Sequence, residues 1–186
     1  MFDLETNGLL HDATRIHCLA LNWCEDDITE AFNDEPYGDG TYDIKEEAPM
    51  GGNYAIHTGI QWLETADTIV GHNIIGFDIP VIKRLYPWFN PRGVIIDTLI
   101  LSRLFHPNLL DIDKRSKTIT QKLYGRHSLE AYGHRLGVLK GDYGKDTDWK
   151  EWSQEMEDYC KQDVIVTTKL CEHFHPYLSG SKWNTR

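Results

Sequence analysis

The sequence predicts an α/β fold, a mixed sheet flanked by helices. Apolar runs at 15–24 and 28–32 come first, as strands joined in a hairpin. Two further short runs, at 68–70 and 94–96, then alternate with stretches of helical periodicity, the order expected of a sheet covered by helices. A chain of 186 residues, 40% of them hydrophobic, is long enough to bury one core, so 1–186 is read as a single domain.

The elements follow in order. Met1 to Leu4 reads as the end of a strand, and Thr6-Asn7-Gly8 as the turn beyond it. Arg15 to Cys24 and Ile28 to Phe32 form the hairpin, with acidic Glu25–Asp27 at its tip. Asp34 to Asn53 is loop-like, carrying Pro36, Pro49 and four glycines. Ile56, Ile60 and Leu63 recur at helical spacing. Thr68 to Val70 is a short strand entering Gly71-His72-Asn73. Ile79 to Phe89 predicts a helix with Pro80 in its first turn, where proline is tolerated. Val94 to Ile96 predicts a buried strand, and Asp97-Thr98 a cap for the helix through Phe105. Residues 107–126 form a polar, basic connection. His127 to Leu136 is helical and stops at Gly137, and 138–150 is loop. One long helix fits Ser153 to Tyr177, with Met156, Cys160, Val164, Thr167 and Leu170 on neighbouring turns.

The net charge of −10 disfavours a general DNA-binding surface, since such domains are usually basic. It does not disfavour a site that holds divalent cations, because bound ions reverse the local field. No apolar run is long enough to cross a membrane, and no basic-then-apolar leader is seen, so a cytoplasmic protein is expected. Cys18, Cys24, Cys160 and Cys171 lack C-x-x-C spacing and read as reduced thiols. His173 and His175 read as polar residues near a helix end in preference to a metal site.

Three groups can carry chemistry. Asp3 and Glu5 are two apart, which on a strand places both carboxylates on one face. Charges so close require a shared proton or a bridging cation. Asp111/Asp113 and Asp146/Asp148 have the same spacing, but lie in polar stretches where solvated charge is expected. Asp78 follows a strand and the turn Asn73-Ile74-Ile75-Gly76-Phe77 and stands at a helix start, where the dipole favours a carboxylate. Its plain alternative is an N-cap, with Phe77 simply core. Tyr159 and Asp163, at i and i+4, share a helix face. Among nine tyrosines about one such pair arises by chance, so this pair alone says little.

Taken in order, the groups resemble the DEDD exonuclease superfamily, in its tyrosine-bearing branch. The match extends to Phe2-Asp3-Leu4-Glu5-Thr6, Ile96-Asp97-Thr98-Leu99 and Leu101-Ser102-Arg103-Leu104. It continues through His127-Ser128-Leu129-Glu130-Ala131-Tyr132-Gly133, Arg135-Leu136-Gly137 and the run from Glu155 to Val164. These are similar to the proofreading exonuclease domain of family A DNA polymerases of short-tailed bacteriophages. Asp158 stands five residues before Asp163, where the histidine-bearing branch carries its His.

The resemblance implies a ribonuclease H-like fold with a five-stranded mixed sheet. It implies that Asp3, Glu5, Asp78 and Asp163 hold two divalent ions, Mg2+ or Mn2+, while Tyr159 orients the attacking water. It further implies that Leu9 wedges near the terminal base, that Phe77 packs on the terminal nucleotide, and that Asn73 and Thr6 line its path. The expected substrate is a single-stranded 3′ end of DNA, and the expected partner a DNA polymerase domain or subunit in a bacterial host cytoplasm. An exoribonuclease of the same fold and a non-catalytic nucleic-acid-binding module are the rival readings.

Two further expectations follow. Only Met1 and Phe2 precede Asp3, where the family's first strand begins several residues earlier, so the first strand should hold Asp3 and Glu5 loosely. Lys114, Arg115, Lys117, Lys122 and Arg126 form a basic run, read as a mobile loop contacting the DNA backbone or as a plain solvated loop.

Overall fold

The computed structural model describes residues 1–24, 26, 28–35, 55–138 and 149–181. Most of the expected loops at 34–53 and 138–150, and the Asp146/Asp148 pair, lie outside the described residues.

Strands β1 (Phe2–Thr6), β2 (Ile16–Trp23) and β3 (Ile28–Asn33) form an antiparallel ladder in that order. β4 (Thr68–Gly71) and β5 (Val94–Asp97) form a parallel pair. Among the described residues the five strands are thus hydrogen-bonded as three plus two, where the resemblance implied one sheet. The two ladders meet at β1 and β4. There a Cβ on Gly71 would stand 2.9 Å from the Phe2 carbonyl oxygen and 2.2 Å from Ile74 Cγ2, so only glycine permits the approach.

β1 is longer than its sequence pattern suggests, and it holds its carboxylates firmly. Asp3 lies opposite Ala20 and Glu5 opposite Cys18, and the register shifts only after Glu5. Phe2, Leu4 and Thr6 are buried on one face, which leaves Asp3 and Glu5 on the other. The expected loose placement is not found, because ladder bonds fix a short strand as well as a long one.

β2 is buried on both faces, which is why its apolar run is nearly continuous. Leu19 and Leu21 join the main core with Phe32 and with Ile56, Ile60 and Leu63 of α1 (Ile56–Thr65). Ile79, Val81 and Ile82 of α2 (Asp78–Leu85) complete that side. Cys18 and Ala20 face the opposite way, onto Met156, Cys160 and Val164 of α6 (Gln154–Leu178). Burying these apolar surfaces on both faces is the main force that holds the layers together.

α3 (Thr98–Phe105) starts where expected: the Asp97 side chain caps it by accepting from the Leu99 N–H at 2.9 Å. α5 (Leu129–Leu136) is capped by Ser128 and ends at Gly137, whose φ of 70° is left-handed. Leu129 and Tyr132 of α5 pack with Val166, Leu170 and Phe174 of α6. No helix among the described residues is long and apolar enough to cross a membrane.

Three expectations fail here. β5 is not a buried strand: Val94 is 62% exposed, since this edge pairs only with β4 among the described residues. The 107–126 connection is not an unstructured loop. It contains α4 (Leu109–Asp113) and a 3-10 turn at Gln121–Leu123, and it buries Leu109, Ile119 and Leu123. Its apolar residues are too widely spaced to show a period. Asp113, expected to be solvated, is fully buried and bound by Arg135 Nε at 3.0 Å and Nη2 at 2.8 Å.

Candidate metal centre

β1, the β4–α2 turn and the first half of α6 converge on a cavity of about 250 Å³. It is lined by Asp3, Glu5, Asn73, Phe77, Asp78, Tyr159 and Asp163, together with Leu4, His72 and Trp149. Carboxylate oxygens of Asp3, Glu5 and Asp163 all lie within 4.8 Å of one another. A larger cavity of about 420 Å³ lies at the other end of β1 and β2, against Trp62 and Asp67. Among the described residues lining it there is no comparable cluster of metal-ligating groups, so we place the candidate site in the smaller one.

Each acid is positioned by a local cause. Strand alternation turns Asp3 and Glu5 to the face that α6 covers. Cys160 Sγ donates to the Asp3 carbonyl oxygen at 3.4 Å and to its Oδ2 at 3.7 Å, one residue after Tyr159. α6 is itself tied to β3: the Asn33 amide donates to buried Glu157 at 2.6 Å, and Lys161 pairs with the other Glu157 oxygen at 2.8 Å. That anchor sets the helix face bearing Tyr159 and Asp163. The Tyr159 ring meets Trp149 edge to face at 6.3 Å, and the Trp149 carbonyl is bonded by His17 Nε2 at 3.0 Å.

Asp78 is the first residue of α2, and Phe77 occupies the N-cap without a side-chain cap bond, so Asp78 is not the plain N-cap. Only 4% of Asp78 is exposed. Burial pushes its carboxyl up to about 7, against N–H groups of its own backbone and of Leu4, with the charge of Asp97 adding to the rise. A fourth carboxyl is therefore held in this cavity, and its charged form has a cost that a cation would remove.

Thr6 and Leu9 do not line the cavity. The Thr6 hydroxyl donates to the Gly8 carbonyl oxygen at 2.7 Å and serves the turn. Leu9 is 76% exposed and is not a core residue. Phe77 both lines the cavity and packs on the main core. His72, Leu4 and Trp149 were missed. Adjacency to Asn73 could have flagged His72, and the position of Leu4 between two acids could have flagged it. Nothing local marks Trp149.

The donor set fits a hard divalent cation, for which carboxylate oxygen is the preferred ligand. Asp3, Glu5 and Asp163 are the residues that could hold it, with Asp78 in the same cavity.

An α/β fold with acids on β1, facing acids from α2 and α6, defines a class. A family model described as the RNase_H superfamily matches residues 1–175, and the chain belongs to that superfamily of nucleases. Two similar proteins are DNA-directed DNA polymerases, from Enterobacteria phage T3 at 32% identity and from Escherichia phage T7 at 33%. Each alignment covers 91% of this chain and 25% of the polymerase, so the chain spans about a quarter of either relative.

Proposed function

We propose that the chain is a metal-dependent 3′–5′ exonuclease that removes mononucleotides from DNA ends, in a proofreading or DNA-processing role in a bacterial cytoplasm. The carrying observation is the convergence of Asp3, Glu5 and Asp163 within 4.8 Å, in a cavity that also holds Asp78 and Tyr159. Similarity to two phage DNA polymerases favours DNA over RNA and supports a polymerase as the partner.

Two divalent ions, Mg2+ or Mn2+, would supply activation of water and neutralisation of the departing 3′ oxygen. The four acids would hold them. Tyr159 orients the attacking water by a hydrogen bond. Phe77 and exposed Leu9 offer apolar contact to the terminal base whatever its identity, while Asn73 borders its path. The acidic lining repels a bare phosphate backbone, so substrate binding is coupled to ion binding.

The test compares wild type with the double substitution Asp3→Ala and Glu5→Ala, on 3′-labelled DNA and RNA oligomers with Mn2+. Wild type is expected to release mononucleotides from DNA, and the double variant none. Equal activity in both proteins would falsify the site assignment, and faster RNA release would move the reading to an exoribonuclease.

A further inference from the structure

A fifth carboxylate sits beside the cavity without lining it. Asp97 ends β5 and is 5% exposed. Its Oδ1 accepts from the backbone N–H of Asn73 at 2.9 Å and of Leu99 at 2.9 Å. Its Oδ2 accepts from the N–H of Ile75 at 3.1 Å. One side chain thus caps α3 and also grips the turn between β4 and α2 at two points.

That turn is hard to hold. Asn73 lies in the left-handed region, at φ 66°, which side chains disfavour and Asn tolerates better than most. The turn also closes on itself, with the N–H groups of Gly76 and Phe77 donating to the Asn73 carbonyl oxygen at 3.0 Å each. It delivers Asn73, Phe77 and Asp78 to the cavity. Next to it, Thr98 donates to the Gly71 carbonyl oxygen at 3.1 Å and bonds His72 Nδ1 at 2.9 Å. The turn is therefore clamped to the β5–α3 junction from both sides.

We propose that Asp97 is a positioning residue for the metal centre: by accepting the Asn73 and Ile75 amides, it fixes the turn that presents Asp78 and Phe77. Capping α3 alone would need only the Leu99 contact. The two bonds to a separate segment, 24 and 22 residues away in sequence, show the additional role. Neutral Asn in this place keeps one acceptor oxygen and turns the other into a donor facing an N–H. Asp97→Asn should therefore loosen the turn while leaving α3 capped.

The consequence for catalysis rests on the exonuclease reading; the consequence for the turn does not. Amide hydrogen exchange in EDTA is the first measurement. In wild type the Asn73 and Ile75 amides should be protected, and Asp97→Asn should raise exchange at Ile75 about tenfold while leaving α5 unchanged. In the same variant, the Mn2+ concentration for half-maximal nuclease activity should rise about tenfold, with a smaller change in KM for DNA. Unprotected Asn73 and Ile75 amides in wild type overturn the proposal without needing a folded variant. A folded Asp97→Asn protein with unchanged exchange and unchanged Mn2+ dependence overturns it too. If wild type cleaves nothing, the exonuclease reading fails, and the exchange data still decide the role of Asp97.

Discussion

Two regions of this molecule bury carboxylates, and they treat them in opposite ways. In the α4–α5 region Asp113 is neutralised within the protein by a two-point bond to Arg135 and by the Gly125 N–H at 2.8 Å. Burial works to raise its pKa, but Arg135 and Gly125 outweigh burial and hold the carboxyl below its usual range. At the candidate metal centre four acids line one cavity, and no Lys or Arg is among the described residues lining it. There burial prevails, and the Asp78 carboxyl is pushed up to about 7. A completed ion pair serves the fold. A cluster of like charges is tolerable where an outside cation completes it, and that separates a functional acid from a structural one.

The comparison breaks most readily at Arg135. Replacing it with Met leaves Asp113 buried without its cation, and should cost about 3–5 kcal/mol at neutral pH. Urea denaturation measures this, and adding Asp113→Asn should recover part of the loss. A loss below about 1 kcal/mol would mean that the pair is solvated after all.

The metal centre should show the reverse sign. Asp78 has a folded pKa of about 7, above the ~3.9 of an unfolded aspartate. The folded state then binds the extra proton between those values, so in EDTA stability falls as pH rises from about 4 to about 7. Asp78→Asn removes that fall and should be the more stable protein at pH 8 by a few kcal/mol. Mn2+ should stabilise wild type more than the variant, which keeps Asp3, Glu5 and Asp163. Equal pH slopes for both proteins in EDTA would remove the contrast between the two regions.

Smaller effects sharpen the contrast. Tyr159→Phe keeps the ring and loses the hydroxyl, so kcat should drop about tenfold with calorimetric Mn2+ affinity unchanged. An unchanged kcat would leave the phenol without the orienting role. Around Asp113 the exposed surface is basic, and Lys114 pairs with Asp111 at only 3.7 Å. Replacing Lys114, Arg115 and Lys117 with Ala should weaken single-strand binding and reduce its log–log salt slope by about 2. Unchanged binding would assign those side chains to solvation alone.

Much of the fold was legible because the periodic segments are strong. The hairpin, α1, β4, α3 and α5 fall within a few residues of expectation, and the Asp97, Ser128 and Gly137 caps sit where their chemistry requires. What the sequence obscured has a common cause. α4 and the 3-10 turn are short, and the buried residues 109, 119 and 123 in this stretch show no period. Asp111 and Asp113 look alike in sequence, and only Arg135, 22 residues after Asp113, buries one of them. Val94 and Ile95 look like core, yet β5 lies at an edge, which composition alone does not encode.

At the candidate site, the acids and Tyr159 were legible as three separate weak signals, each a local rule of strand alternation, turn or helix spacing. Those local rules do not bring them together; the resemblance alone implied that, and Glu5 and Asp163 meet through the packing of α6 on β1 and β2. Trp149 and Asp97 were invisible as site residues for the same reason. Thus the sequence by itself determined which carboxylates share a face of each element, because backbone geometry dictates side-chain direction. Tertiary structure alone decided which acids would be neutralised by arginine and which would be left for a cation, because charge compensation depends on distance in space.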